Sequence, residues 1–192
     1  MPYLDHIMYS CSDLDQGSQY FASLLGIEPA FGGVHLGKGT QNALFSLDNN
    51  QYFEIIAPDP AQNISSEFIK STGIKTWAVA SNDLLRDKEI ASSLGWDSNL
   101  ISMSRETPDG GLLKWELLFV SGHDFGYHFP FFINWLGETN PSQSTPRGCT
   151  LQTFMISTEN AEAFSDLLDR FQIEEVLVEQ GSPLFTATLS TP

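Results

Sequence analysis

The chain of 192 residues carries 24 acidic and 9 basic side chains, which gives a formal net charge of -15. Nucleic acid and anionic membrane surfaces are therefore excluded as expected partners, because both are bound through clustered Lys and Arg that this sequence lacks. The hydrophobic fraction of 41%, with 14 Phe, excludes a disordered acidic protein, because so much apolar surface can build a folded core.

The N-terminal segment has neither the basic region nor the apolar core of a secretion signal. No apolar run in the chain approaches the ~20 residues that a membrane span needs, so we expect a cytoplasmic protein. The two cysteines, Cys11 and Cys149, are too few for a disulfide framework, and each is expected to be a buried or semi-buried thiol.

An internal repeat of about seventy residues organises the chain. Residues 5–13 and 75–83 agree in residue class, because each is an apolar, strand-like run that ends in an Asp able to cap a helix. A helix follows in both copies and ends at Gly26 or Gly95. The expected apolar face of the first helix consists of Tyr20, Phe21, Leu24 and Leu25.

Three strands are predicted after each of these two helices. They are 30–36, 40–47 and 51–57 in the first copy, and 100–105, 112–120 and 129–135 in the second. A third copy begins near Leu151 and has room for a strand, a helix and two short strands, so it is truncated.

The predicted fold class is α+β: paired βαβββ modules forming a curved mixed sheet around a concave pocket, with a truncated third βαββ unit at the C-terminus. The expected domains are a main domain 1–137 with modules 1–70 and 71–137, a linker 138–148, and the third unit 149–192. We expect the third unit to pack on the main domain or on a partner chain.

Strand alternation brings polar residues to one face of the predicted sheet. His6 shares a face with Met8 and Ser10, and Glu54 shares a face with Tyr52. Because burying either without a partner costs free energy, the pair indicates two ligands of a divalent metal. Taken singly, the alternatives are a hydrogen-bonded, semi-exposed His and a solvated Glu on an edge strand.

The repeat, with His6 on its first strand and Glu54 on its fourth, resembles the vicinal oxygen chelate superfamily. Its glyoxalase-like branch is the closer resemblance, over most of the main domain 1–137. In the first module it depends on Leu-Asp-His (4–6), Gly-Gly-Val-His (32–35), Gly-Thr-Gln-Asn (39–42) and Tyr-Phe-Glu-Ile (52–55). In the second it depends on Ser-Arg (104–105), Pro-Asp-Gly (108–110), Leu-Lys-Trp (113–115) and Pro-Phe-Phe-Ile-Asn-Trp (130–135).

The resemblance implies a glyoxalase-like domain with a concave pocket and, in the metal-dependent members, two metal ligands from each module. This sequence departs from that pattern, because Thr76 stands opposite His6, and Ile133 or Asn134 stands opposite Glu54. A divalent metal (Zn, Ni, Mn or Fe) would therefore need His35 or water to complete its shell.

Further pocket residues are predicted from the same alternation. Glu54 or Glu116 is the expected catalytic base. The residues expected to bind substrate are Asn42, Tyr52, Arg105, Lys114 and Trp135. The alternatives are a cross-strand or solvated pair for Lys114 and Glu116, an Asn42 bonded to the turn 37–39, and a Trp135 in the core. His123 and His128 lie in a loop expected over the cavity mouth.

The sequence leaves several functions open. The first is a glyoxalase-like protein that binds a small organic molecule, with metal-assisted lyase, isomerase or dioxygenase chemistry. The alternative is a metal-free binding or sequestering protein of the bleomycin-resistance type. A third possibility is assembly, in which the third unit pairs with a partner chain in a homodimer.

Overall fold

The computed structural model describes residues 1–35, 37–62, 71–106, 112–137 and 140–191. Its elements are β1 (Tyr3–Ser10), α1 (Leu14–Leu25), β2 (Ala30–His35), β3 (Thr40–Ser46), β4 (Tyr52–Pro58), β5 (Gly73–Ala80), α2 (Leu84–Ser93), β6 (Asp97–Glu106), β7 (Leu112–Ser121), β8 (Phe131–Asn134), β9 (Thr150–Thr158), α3 (Ala161–Arg170), β10 (Leu177–Gln180) and β11 (Leu184–Ser190). Within the described ranges, no helix has the length and apolar character to cross a membrane.

The element order follows the predicted repeat. Strand, helix and three strands occur twice, and strand, helix and two strands follow. The α+β fold class is confirmed, and element ends differ from the prediction by a few residues at most places. The predicted turn 108–110 and the last residue of the predicted strand 30–36 lie outside the described residues.

The chain forms two compact units, each built from three stretches of sequence. Unit 1 comprises Met1–Asp5, Trp77–Asn140 and Met155–Leu184, and unit 2 comprises His6–Thr76, Pro141–Phe154 and Phe185–Pro192. The two units therefore interleave along the chain. The expected division into domains at 137 and 149 stays a prediction.

The strands of the first repeat, which belong to unit 2 except for the first residues of β1, lie in the order β2-β3-β4-β1. β1 runs parallel to β4, with His6 opposite Tyr52 and Met8 opposite Glu54. The pairs β2–β3 and β3–β4 are antiparallel. α1 covers one face of these strands, where Phe21 packs on Phe53 at a ring distance of 4.9 Å. Because side chains alternate, Tyr52 and Glu54 lie on the opposite face.

The buried face of α1 differs from the predicted one. Leu14, Gly17 and Phe21 are buried, whereas Tyr20 is 56% and Leu24 is 60% exposed. The helix approaches the strands at Gly17, where an added Cβ would lie only 2.5 Å from Cys11 Sγ. The prediction considered only large apolar side chains, so it could not identify a helix–strand contact at a glycine.

The predicted helix ends are confirmed. Asp13 accepts a hydrogen bond from Gln16 N at 2.8 Å, and Asp83 accepts one from Arg86 N at 3.0 Å. Gly26 ends α1 with φ 70°, a left-handed conformation that glycine adopts without steric cost.

The strands of the second repeat, which belong to unit 1 except for the first half of β5, lie in the order β5-β8-β7-β6, and β5 runs parallel to β8. The third repeat contributes α3 to the same unit. Phe171, after α3, packs on Phe129 and Phe132 at ring distances of 5.3 and 5.2 Å. Arg86 on α2 donates to Phe171 O at 3.0 Å, so a cation satisfies a carbonyl at the C-terminus of α3.

Both cysteines are buried free thiols, as predicted. Burial raises the pKa of Cys149 to about 11, and the nearby Asp48 acts in the same direction. Burial also raises the pKa of Cys11. Because the thiolate is the nucleophilic form, neither side chain is set up as a nucleophile.

Candidate functional site

Unit 2 carries a buried polar cluster on the sheet face opposite α1. Each of its strands contributes one member: His6 from β1, His35 from β2, Asn42 from β3 and Glu54 from β4. We call these residues the Glu54 cluster. His6 is 3%, Asn42 6% and Glu54 5% exposed, so the alternatives of a semi-exposed His6 and a solvated Glu54 are wrong.

Glu54 is at the centre of this cluster. Its Oε1 accepts a hydrogen bond from Asn42 Nδ2 at 2.7 Å. Its Oε2 lies 3.5 Å from His6 Nε2, and its Oε1 lies 3.9 Å from His35 Nε2. The ring of His6 stacks on Tyr52 at a centroid distance of 4.5 Å, which holds the imidazole beside the carboxylate.

The hydrogen bonds of His35 define its tautomer. Asn42 Nδ2 lies 3.3 Å from His35 Nε2, and an amide nitrogen can only donate, so Nε2 accepts. The ring proton is therefore on Nδ1, which donates to Thr40 Oγ1 at 2.9 Å. Both amide hydrogens of Asn42 are thus used, one toward Glu54 and one toward His35. Asn42 Oδ1 is buried without a hydrogen-bond partner among the described residues.

The predicted metal ligands His6, His35 and Glu54 lie together in this cluster. A metal with bonds of ~2.1 Å in tetrahedral geometry separates its ligand atoms by about 3.4 Å. His6 Nε2 and Glu54 Oε2, 3.5 Å apart, match that spacing. Between Glu54 Oε1 and His35 Nε2, however, the Asn42 amide nitrogen bridges the two acceptors.

The part of the chain that the structure describes contains no group of three or more His, Cys, Asp or Glu side chains arranged to hold a metal ion. The residues present thus offer two donors at ligand spacing. His35 becomes a third donor only if the Asn42 amide turns away from it.

The contacts of Asn42 decide one alternative that the sequence left open. Asn42 bonds to Glu54 and His35, so the expected alternative bond to the turn 37–39 is wrong. Thr40, the partner of His35 Nδ1, was not predicted as a site residue. The available signal was alternation, because Thr40 shares a strand face with Asn42.

The remaining predicted pocket residues belong to unit 1. Lys114 is exposed on β7, and Glu116 is half-buried with Ser102 Oγ donating to it at 3.5 Å. Trp135 donates from Nε1 to Asp5 Oδ2 at 2.9 Å and packs against a small apolar cluster. Arg105 lies on β6 opposite Leu113, and its side chain is outside the described part. A role for these four residues at a ligand site stays a prediction.

Residues 4–171 match the family described as glyoxalase-like domain. The chain therefore belongs to the glyoxalase-like domain family, which confirms the predicted resemblance to the glyoxalase-like branch. A comparison with curated proteins returned no match.

Solved structures share the fold at low sequence identity. A hypothetical protein from Staphylococcus aureus has a TM-score of 0.77 at 22% identity, covering 100% of this chain and 92% of its own. Methylmalonyl-CoA epimerase from Mycobacterium tuberculosis has a TM-score of 0.51 at 20% identity, covering 68% and 86%. A variant of Streptomyces coelicolor methylmalonyl-CoA epimerase, in complex with 2-nitronate-propionyl-CoA, has a TM-score of 0.51 at 16% identity, covering 72% and 97%. At these identities the likeness shows the fold alone.

Proposed function

We propose that this protein binds a small oxygen-bearing organic molecule at the Glu54 cluster and that Glu54 moves a proton on it, which is isomerase or lyase chemistry. The observation that carries the proposal is the setting of the carboxylate. Among the described residues its partners are His6, His35 and Asn42, and none is Lys or Arg. A carboxylate held by an amide beside imidazoles is suited to general acid–base catalysis.

Each neighbour of Glu54 has a role in this proposal. Asn42 holds Oε1 through its 2.7 Å hydrogen bond, which orients the carboxylate and leaves Oε2 on the side of His6. In an isomerisation, Oε2 takes a proton from a substrate carbon and returns it to the product, so no proton is gained or lost overall. His6, stacked on Tyr52, is placed to stabilise Oε2 or to relay the proton.

A divalent metal (Zn, Ni, Mn or Fe) remains in the proposal as a cofactor whose binding would compete with proton transfer by Glu54, because the ion and the proton would use the same Oε2. His6 Nε2 and Glu54 Oε2 would hold it, because their 3.5 Å separation fits adjacent metal ligands, and water would complete the shell. When bound, such an ion polarises the substrate oxygen atoms as a Lewis acid.

The fold relatives include proteins that are named for an isomerase reaction. Two of those described above are named as epimerases, and epimerisation is an isomerase reaction. Their low identity supports only the architecture, so the substrate named for them is not carried over to this chain.

A metal-free binding or sequestering protein is the second candidate. The observation that favours it is the Asn42 amide, which already bridges Glu54 Oε1 and His35 Nε2. A cluster that satisfies its own polar groups can form one wall of a binding site without reacting.

A proton-exchange experiment tests the proposal. Small hydroxy and oxo acids and ketones are first screened by thermal shift, with and without each of the four metals. Ligands that bind are then incubated with protein in D2O, and NMR measures the loss of their C–H signals. We expect exchange in the wild type and a decrease of at least ~100-fold in Glu54→Gln, the typical contribution of a general base.

The controls separate the alternatives. Glu89→Gln changes an exposed carboxylate on α2 and should leave exchange unchanged. Exchange that survives Glu54→Gln but is lost in Glu116→Gln would assign the base to Glu116 instead. Binding without any exchange in the wild type would support the sequestering protein. Two results together would remove the metal from the proposal. Metal analysis of chelator-free protein would find no stoichiometric ion, and His6→Ala would bind metal as well as the wild type.

A further inference from the structure

A β-bulge in β2 determines which face of the strand carries His35. β2 pairs with β3 so that Phe31 is opposite Ala43 and Gly33 is opposite Asn42, with a register shift between Phe31 and Gly33. Gly32 is therefore an extra residue in the register of β2. In a regular strand, residues two apart share a face, so Phe31, Gly33 and His35 would all lie on one side.

The extra residue reverses this arrangement. After Gly32, His35 lies opposite Thr40, on the face that also carries Asn42 and the rest of the Glu54 cluster. Phe31 lies opposite Ala43 on the other face and is 64% exposed. Bulges are known to redirect side chains in this way. Without the bulge, His35 would share the face of Phe31 and point away from Glu54.

Gly32 also provides the space in which the Asn42 side chain lies. A Cβ added at Gly32 would lie 2.4 Å from Asn42 Oδ1 and 3.0 Å from Leu44 Cδ1, and real Cβ contacts essentially never fall below 3.0 Å. The amide oxygen therefore packs against the bare backbone of Gly32. This places the amide nitrogen on the other side of the group, toward Glu54 and His35.

We propose that Gly32 is a positioning residue of the Glu54 cluster. Its insertion turns His35 onto the site face, and its missing side chain seats the Asn42 amide in the orientation that keeps a lone pair on His35 Nε2. The inference rests on the proposed function and deepens it, because it explains how the His35 imidazole comes to lie beside Glu54.

The test reads the His35 tautomer in the ligand-free protein by long-range 1H–15N NMR at neutral pH. In the wild type we expect the proton on Nδ1, with Nε2 unprotonated. In Gly32→Ala we expect loss of this pattern and a shift toward the tautomer mixture of a free histidine, together with a moved Asn42 side-chain amide signal. Gly181→Ala is the matched control, because a Cβ there meets Ser157 at an ordinary 3.6 Å.

A second set of variants tests the mechanism. Asn42→Ala and Thr40→Val each remove one hydrogen-bond partner of His35, so each should lose the Nδ1–H pattern while the protein stays folded. In the Asn42→Ala background, adding Gly32→Ala should lower Tm by less than it does in the wild type, because the 2.4 Å contact has been removed.

Two results would overturn the inference: an unchanged His35 tautomer in Gly32→Ala, or, where that variant does not fold, an unchanged tautomer in both Asn42→Ala and Thr40→Val. No ligand enters these measurements. A negative proton-exchange experiment would therefore leave the positioning role of Gly32 intact. A negative tautomer experiment would leave the proposed chemistry of Glu54 to be tested by proton exchange alone.

Discussion

His123 is a residue whose burial is not matched by its hydrogen bonding. Its ring lies 4.9 Å from Phe129 and 5.1 Å from Trp96, and its Nδ1 is buried without a partner among the described residues. Burial lowers its pKa, because the cationic form is desolvated, although the carbonyl of Val120 and the nearby Asp124 act in the opposite direction. The loop that was expected over the cavity mouth therefore contributes an imidazole to the aromatic packing of unit 1.

The lowered pKa of His123 predicts how the folding stability depends on pH. The folded-state pKa of His123 lies below its ordinary value of 6.5, so the unfolded chain binds the proton more tightly than the folded chain. The contribution of His123 to folding stability is therefore fully present above pH 6.5 and is lost as the pH falls below it. His123→Phe keeps an aromatic ring and removes the unpaired nitrogen. We expect it to stabilise the protein by about 1 kcal/mol at neutral pH, because the lost hydrogen bond to the carbonyl of Val120 offsets part of the gain, and by more at acid pH.

Urea unfolding at about pH 7.5 and about pH 5 measures this effect. His128, whose pKa is also lowered by burial, is present in both proteins and leaves part of the pH dependence in the variant. The same loss of stability between the two pH values in wild type and His123→Phe would contradict the argument.

The helices show how local side chains define an element. α1 and α2 begin at Asp13 and Asp83, whose carboxylates accept backbone hydrogen bonds in the first turn. α3 begins after Asn160, which makes no such side-chain bond. The three caps therefore form a natural comparison within one protein.

We expect Asp13→Ala and Asp83→Ala each to cost about 1 kcal/mol of unfolding free energy, because each leaves a backbone N–H of the first helical turn without its acceptor. Asn160→Ala is the control and should cost only a few tenths, since no cap bond is lost. Denaturant unfolding of the three variants measures the difference. A loss in Asn160→Ala equal to that in Asp13→Ala would show that the hydrogen bond is not the cause.

The strands show what an element-level prediction misses. Alternating apolar residues predict β2, β3 and β4 to within about one residue, because the period of two is a local property. The bulge at Gly32 was not predicted, because the sequence 30–35 reads equally well as a regular strand. Only the pairing with β3 reveals the extra residue.

At the scale of the whole molecule, the main feature is charge. The net charge is -15, and residues 151–192 contain seven acidic side chains but only Arg170 as a cation. Arg86, one of the nine basic residues, is used within unit 1, where it contacts Asp87 and the end of α3. Such an excess of like charge destabilises a compact state through self-repulsion.

Salt should therefore stabilise this protein. Raising NaCl from about 10 to about 500 mM shortens the Debye length from ~30 Å to less than ~8 Å and screens the repulsion, so we expect Tm at neutral pH to increase by several degrees. The control is the same titration near the isoelectric pH of about 4.3, where the net charge vanishes and the increase should shrink. An unchanged or lower Tm at neutral pH would contradict the prediction.

The sequence by itself determined the repeat, the α+β class, the family and the placement of His6, Tyr52 and Glu54 on one face. These features follow from short-range periodicity and from caps, which are readable along the chain. Only the tertiary structure decided that Asn42 bonds to Glu54, that Thr40 holds His35, and that His35 lies on the site face at all. The physical reason is that contacts between strands depend on register, and a single inserted residue exchanges the two faces of everything that follows it in the strand.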